Sequence, residues 1–485
     1  MQFETIMHVT APGGSPVAPN VRRPVSSITP EDMETCLRVL QHIADSPANI
    51  VRDDLFKGLI SKVYKAGKRD DARAERWRLR SEDRALLAQT GIVRIQRDAV
   101  APASIPSEHA RPGRTLNRPE CCYICKQDYT EVHFFYHLLC PECAEQNYAM
   151  RGLRADLTGR TALLTGGRIK IGYQLALRLL EDGARVLLTT RFPNTAAQRF
   201  AAEPGWELWS DRLQIYGLDL RNIPVVEDFA RHLLTSESHL DILIHNAAQT
   251  IRRPEGFYRE LVAQEIAPNH TLSLEARKVV RQDAVSTLAI AEHAPVLLPG
   301  VPATMDVLPA HAFADNEERM DSRDTNSWTL KLDEVSTPEM LEVQLVNAVT
   351  PFMLNSRLKP LLLRSPFPRR FIINVSAMEG QFRRHKTIYH PHTNMAKAAL
   401  NMMTRTSGED YARDGIYMNS VDTGWVTDEK PTPKRERVQQ DEGFFAPLDV
   451  VDGMARVYHP IATGITSEEE PIFGKLLKDF VPAPW

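Results

Sequence analysis

The sequence predicts an α/β protein: a doubly wound parallel sheet, preceded by a small helical region and a short cysteine-rich module. Three observations predict it. From Thr161 onward, short apolar runs alternate with stretches of helical periodicity; the runs are Thr161–Thr165, 186–190, Leu213–Gly217, Ile242–His245, 371–375 and 418–421. A glycine turn, Thr165-Gly166-Gly167-Arg168-Ile169-Lys170-Ile171-Gly172, joins the first run to a helix that carries Ile171, Leu175, Leu179 and Leu180 on one face. Five of the six cysteines fall between Cys121 and Cys143.

A chain of 485 residues suits two or three domains, and 43% hydrophobic with 25% charged residues is a globular composition. A net charge of -3 gives no overall attraction to nucleic acid or anionic lipid, so neither is expected as a partner. No apolar run approaches the ~20 residues that span a bilayer. The first twenty residues lack the layout of a signal peptide, so the expected compartment is the cytoplasm.

Residues 1–28 lack periodicity and read as an arm. Residues 29–98 read as a helical module. Thr29 and Pro30 form a helix start; Met33, Cys36, Leu37, Leu40 and Ile43, then Val51, Leu55, Leu59 and Val63, recur at helical spacing. Residues 65–84 hold eight Lys or Arg, but five acids are interleaved, which reads as a solvated helix face rather than a nucleic-acid patch. The proline-containing stretch 99–119 reads as a linker, 120–150 as the cysteine module and 151–485 as the α/β domain.

Cys122-x2-Cys125 and Cys140-x2-Cys143 are two thiol pairs, each able to grip one metal ion from a tight turn. Four soft ligands with no open position point to a structural zinc, although Cys121, His133 or His137 could replace one ligand. So small a module needs a metal to be stable, and its role would be scaffolding or contact with a protein partner.

The glycine turn lets backbone N–H groups and the positive end of a helix approach a diphosphate. With these residues in this order, the run from about Leu157 to the C-terminus resembles the short-chain dehydrogenase/reductase family. The resemblance implies a Rossmann-type fold and a nicotinamide cofactor held by Thr165, Gly166, Arg168, Ile171 and Gly172. Lys170 stands where the family has its middle glycine. Arg191 ends the second strand, where an acid would favour NAD(H); an arginine favours the 2′-phosphate of NADP(H). The resemblance further implies adenine contacts at Asp219 and Leu220, and cofactor contacts at Asn246, Ala247 and Gly424, the last in Thr423-Gly424.

Family members use an Asn, Ser, Tyr and Lys set. Asn347 and Lys397 match; alignment puts Ala377 at the serine and Thr393 at the tyrosine. Thr393 is a poor acid, because an aliphatic hydroxyl titrates far above a phenol. Ser376 and Tyr389 are thirteen residues apart, as the family's serine and tyrosine usually are, and could substitute. Pro391 would start a helix near His392 and leave Tyr389 on the loop before it. His390 and His392 are alternative proton carriers.

The resemblance implies an oxidoreductase acting on a small carbonyl or alcohol substrate. The other reading is an inactive NADP-binding protein that contacts a partner. The span from Asn246 to Asn347 is long for the family, and the excess at about 252–336, with its acidic run at 315–318, reads as a lid or a spacer. The tail from Gly474 could dock on the domain or on a second subunit. Family members often pair through helices placed here near 339–355 and 393–413, which implies a homodimer or homotetramer.

Overall fold

The computed structural model describes residues 28–45, 54–98, 114–253, 255–266, 272–281, 323–383, 386–427 and 429–485. Almost all of the arm, Val51, residues 99–113 of the expected linker, and most of the 252–336 excess with its acidic run lie outside the described residues. The chain divides into two units, 1–84 and 85–485.

The first unit contains the helix Pro30–Asp45 and most of the helix Asp54–Leu87. Thr29 caps the first helix, its Oγ1 accepting from Asp32 N at 3.1 Å. Their apolar positions, among them Met33, Leu37, Leu55 and Val63, are exposed. In the basic stretch Arg78 pairs with Glu75 and Glu82 one turn away on either side, as interleaved charges on a solvated face do.

The second unit opens with the helix Gly91–Asp98, so the stretch 29–98 is divided between units. Ile92 and Val93 of this helix are buried with the cysteine module. The module adds the antiparallel strands β1 (Arg114–Cys121) and β2 (Asp128–Val132) and the helix Pro141–Arg151. Residues 114–119 are therefore strand and not linker. Pro119 is accommodated because the register of β1 shifts between Thr115 and Glu120, where no ladder hydrogen bond is required of it.

The main sheet contains β3 (Thr161–Thr165), β4 (Arg185–Thr190), β5 (Leu213–Gly217), β6 (Ile242–His245), β7 (Val280–Arg281), β8 (Arg370–Ser376), β9 (Ile416–Asp422), β10 (Leu476–Lys478) and β11 (Val481–Ala483). Their order is β11-β10-β9-β8-β6-β3-β4-β5-β7, parallel except for the last pair, β10 with β11. All six expected strands are present; β7, β10 and β11 are additions. The tail thus docks on its own sheet, where Leu476 pairs with Ser420.

Residues alternate across the sheet. Leu164, Leu188, Ile244 and Ile373 face the helices Lys170–Glu181, Pro193–Ala201 and Val450–Thr466. Leu163, Leu187, Leu243 and Ile372 face Ile223–Ser236 and Thr350–Leu363. Two apolar layers on one parallel sheet are why the strands read as continuous apolar runs. The chain reverses direction between β3 and β6, which opens a crevice at their C-terminal ends.

His245 ends β6, buried, with Nε2 2.8 Å from Asn355 Oδ1. Burial pushes its pKa down to about 4. The unfolded chain then binds more protons between pH 6.5 and 4, so this group's stabilisation is lost as the pH falls through that window. At pH 5 the loss is about 2 kcal/mol. Urea unfolding at pH 7.5 and 5.0 should show His245→Asn losing less stability between the two than the parent chain, by about this amount.

Candidate active site

The glycine turn follows β3 at the crevice. Gly166 has φ +72°, and a Cβ there would stand 2.8 Å from Ala247 Cα. At Gly172 a Cβ would meet Gly166 O at 2.2 Å and Asn246 Nδ2 at 2.4 Å. Only glycine lets the turn, the following helix and the end of β6 approach so closely. Asn246 Nδ2 donates to Gly166 O at 2.8 Å, and Ala247 N donates to the Thr165 hydroxyl at 3.1 Å. Lys170 adopts φ +54°, so it keeps the left-handed backbone that favours glycine. Ile171, one residue on, packs on Gly453, where a Cβ would be 2.6 Å from its Cδ1.

At the end of β4, the Arg191 guanidinium lies 4.4 Å from the Tyr258 ring and 5.3 Å from the Phe192 ring. Arg168 lies 5.4 Å from the other partner of that stack, Phe192. Tyr258 and Glu265 come from the long excess after β6. The buried Glu265 carboxylate accepts from Asn194 N at 2.8 Å and from Thr195 N at 2.7 Å, at the start of the helix Pro193–Ala201. Burial raises its pKa against those hydrogen bonds and the charge of Arg168. An acid therefore sits on a helix N-terminus two residues from Arg191.

Asp219 is buried after β5, and both carboxylate oxygens are held by Arg221, one at 2.6 Å. Burial would raise its pKa, but the bonds and charge of Arg221 outweigh it and hold the group below the usual carboxylate range. Its neighbour Leu220 is tied through its carbonyl to the Thr350 hydroxyl at 2.8 Å.

On the other side of the crevice, Thr393, Lys397, Asn401 and Thr404 form a buried stripe of the helix Pro391–Arg413 that faces β8. Lys397 Nζ donates to Val375 O at 2.8 Å, and burial lowers its pKa to about 8. The Thr393 hydroxyl is buried and meets no hydrogen-bond partner among the described residues. Ser376 Oγ is buried and donates to Asn401 Oδ1 at 2.6 Å, so it turns into the seam between strand and helix. Gly380 brings the next loop against this helix, where a Cβ would be 2.6 Å from Lys397 O.

Asn347 lies in a π-helical turn, Leu345–Val349, a widening common at functional sites. Its amide group pairs with the backbone of Gln249, accepting at 2.7 Å and donating at 3.0 Å. Tyr389 is half-buried on the loop before the helix, and the helix begins at Pro391 as expected. His390 takes φ +44° and stacks on Trp328 at 4.0 Å, its Nδ1 2.9 Å from Trp328 O. His392 points to Glu339, 3.7 Å away, on the helix face turned from Lys397. Burial pushes its pKa down to about 4. Neither histidine accompanies Lys397.

Trp328 belongs to the end of the long excess, which crosses three loops. Asn326 Nδ2 donates to Glu429 O at 2.9 Å, Arg252 N donates to Ser327 Oγ at 2.8 Å, and His390 N donates to Leu330 O at 2.8 Å. This part of the excess is a strap that ties these three loops together.

The Sγ atoms of Cys122, Cys125, Cys140 and Cys143 lie within 4.8 Å of one another, so the pairs converge as a single metal site requires. His133 accepts from the amides of Phe135 and Tyr136 through Nδ1, and His137 Nε2 lies 3.3 Å from Phe445 O. Neither histidine belongs to the cluster.

The chain is similar to a solved short chain dehydrogenase from Burkholderia cenocepacia in complex with NADP, at 19% identity and a TM-score of 0.42, over 66% of this chain and 96% of that one. It is 34% identical over 363 residues to Uncharacterized protein R665 of Acanthamoeba polyphaga mimivirus, covering 72% of each. It is 40% identical over 117 residues to Dehydrogenase/reductase SDR family member 13 of Bos taurus, but that match spans only 29% of the bovine protein. A family profile described as short chain dehydrogenase matches residues 160–273. Residues 160–273 thus match the short-chain dehydrogenase family.

The profile thus covers the turn at Gly166, Arg191, Asp219 and Asn246 but ends before Asn347, Ser376 and Lys397. Sequence reasoning missed Glu265, Trp328 and the contacts of the cysteine module. No local pattern announces them, because each partner lies on a distant segment.

Gly172→Ala should abolish nucleotide binding and lower the melting temperature, because the added methyl drives Gly166 O and Asn246 apart. Dinucleotide fluorescence titration and thermal melting check this. Gly58→Ala, with nothing within 4 Å of the new methyl, should change neither for the worse.

Proposed function

We propose that this chain is an oxidoreductase that binds NADP(H) and interconverts a carbonyl and an alcohol. The cradle made by Gly166, Gly172 and Asn246 carries this reading: a backbone packed too tightly for any Cβ opens onto a helix N-terminus at the switch point of the sheet. The residues fit a dinucleotide. The start of the helix Lys170–Glu181 would receive its diphosphate, Arg191 and Arg168 the 2′-phosphate, and Leu220, Ala247 and Gly424 would line its course; the Gly166 N–H is committed to Thr189 O at 2.9 Å, so Gly166 shapes the cradle. Since Arg221 occupies both oxygens of Asp219, that side chain shapes the adenine wall more than it binds the base.

The bound cofactor supplies hydride chemistry; the chain supplies position and a proton. Tyr389 is the assigned proton donor. Thr393 is aliphatic, Ser376 is spent on Asn401, His390 is stacked on Trp328, and His392 faces Glu339. Lys397, held on Val375 O, would supply the cation that lowers the donor's pKa. The orphaned Thr393 hydroxyl offers a hydrogen bond to the substrate oxygen or a water. Asn347 holds Gln249 and so keeps the loop after β6 beside the helix kink.

The four cysteines hold a structural zinc. Val349, Phe352, Met395 and Met402 are exposed apolar residues on the two helices through which family members pair, which supports a homodimer. No helix among the described residues is long and apolar enough to cross a membrane. A silent dinucleotide-binding protein is the second reading, favoured by Ala377 and Thr393 at the two altered positions.

Turnover of NADPH with aldehydes, ketones and quinones decides between them. The enzymatic reading expects Tyr389→Phe to lower kcat on the order of 100-fold or more while the Kd for NADPH is kept. Binding without turnover across the panel would select the silent reading.

Coenzyme preference has its own test. Glu265→Gln removes the negative charge that acts on Arg168 at the helix N-terminus after Arg191, and the ratio of NADPH to NADH affinity should rise by about tenfold in titrations of the variant. An unchanged ratio would mean that the 2′-phosphate lies elsewhere.

A further inference from the structure

The cysteine module is joined to both walls of the crevice. Tyr123 stands between the first two thiols, and its backbone N–H is pinned to Leu138 O at 2.8 Å, close to the second pair. Its hydroxyl accepts a hydrogen bond from Trp425 N at 3.0 Å and would lie 3.7 Å from a Cβ at Gly424. Gly424 has φ +76°, and its N–H donates to Asp422 Oδ1 at 2.9 Å. The loop that leaves β9 is therefore gripped by Asp422 on one side and by the metal-site tyrosine on the other. Lys478 bridges the two, 3.3 Å from Asp422 Oδ2 and 5.6 Å from the Tyr123 ring.

The second connection is a buried polar seam. Tyr136 Oη donates to Asp452 Oδ1 at 2.6 Å, and Arg151 binds Asp452 and Asp449 at 2.8 and 2.7 Å. Arg456 donates to Asn147 Oδ1 at 2.8 Å. Asp449 and Asp452 begin the helix Val450–Thr466, and Gly453 of the same turn packs on Ile171 at the start of the diphosphate helix. The module thus reaches the Gly166 side through the helix that bears Gly453 and the Gly424 side through Tyr123.

We propose that metal binding at Cys122, Cys125, Cys140 and Cys143 and dinucleotide binding in the crevice are coupled, with Tyr123 as the positioning residue that carries the coupling to Gly424 and Trp425. The proposal rests on the dinucleotide-binding reading above. Zinc fixes the turn that bears Tyr123, and the fixed hydroxyl holds Trp425 N and the glycine loop in the arrangement that receives the cofactor. Coupling is reciprocal, so the dinucleotide must strengthen retention of zinc by the factor by which zinc strengthens binding of the dinucleotide.

The test uses the zinc-loaded full chain and a chromogenic chelator. Saturating NADPH should lower the fraction of zinc that the chelator removes at equilibrium, corresponding to a rise in zinc affinity of about 5-fold or more. Tyr123→Phe keeps the ring over Lys478 and all four thiols but lacks the hydroxyl that accepts from Trp425. Compared with its own NADPH-free equilibrium, this variant should show less than half the effect. NADPH binding is measured first by fluorescence: no binding refutes the reading on which the proposal rests. Binding with no change in zinc retention overturns the coupling, and an undiminished effect in Tyr123→Phe overturns the role of the tyrosine.

Discussion

The structure depends on the close approach of three backbone segments where the sheet reverses direction. Asn246, leaving β6, donates its side-chain amide to the carbonyls of Thr165 and Gly166, leaving β3. These bonds hold the two strands' exits together, and the absence of side chains at Gly166 and Gly172 leaves no gap between them. A crevice at a switch point is a property of the topology. Here these contacts draw its walls together, and the helix Lys170–Glu181 starts beside them.

That part of the molecule was legible in the sequence for a physical reason. Parallel strands buried on both faces must be apolar throughout, so Leu163, Leu187, Leu243 and Ile372 and their neighbours declare the strands without alternation. The glycines declare the turn because no other residue fits. The cysteine pairs declare their site because ligand spacing is local. Two-residue β7 and three-residue β10 and β11 carry too little pattern to be read, and the linker expectation failed at 114–119 because a shifted register let a strand tolerate Pro119. The strap was invisible for a different reason. Trp328 and His390 are sixty-two residues apart, and an aromatic stack at that separation leaves no mark on either segment.

The cysteine module was read as a separate element, and its packing explains why it is not one. Its core includes Leu448 of the α/β domain and the helix Gly91–Asp98, whose Gln96 bonds to Ala446 on both its N–H and its carbonyl. Asp452 is wholly buried; burial and the adjacent Asp449 raise its pKa to about 6, against the pull of Arg151 and Arg456. A carboxylate in that position is tolerable only while Arg151, Asn147 and Tyr136 surround it, and all three come from the module. The helix Val450–Thr466 has therefore been built to need the module, since without it a charge would be left in an apolar seam.

The catalytic face follows the same logic in reverse. Burying the ammonium of Lys397 costs stability, which is why its pKa falls toward 8, and its contact in the fold is a neutral carbonyl. A chain selected only for stability would place an apolar residue between Thr393 and Asn401, where the neighbours on the stripe are already difficult to satisfy. Retaining a partly compensated cation, beside a hydroxyl with no partner among the described residues, is an arrangement whose cost makes sense when a ligand completes it. On the oxidoreductase reading proposed above, the residues at 377 and 393 would change which group passes the proton and would leave Lys397, the π-helical turn at Asn347 and the crevice in place.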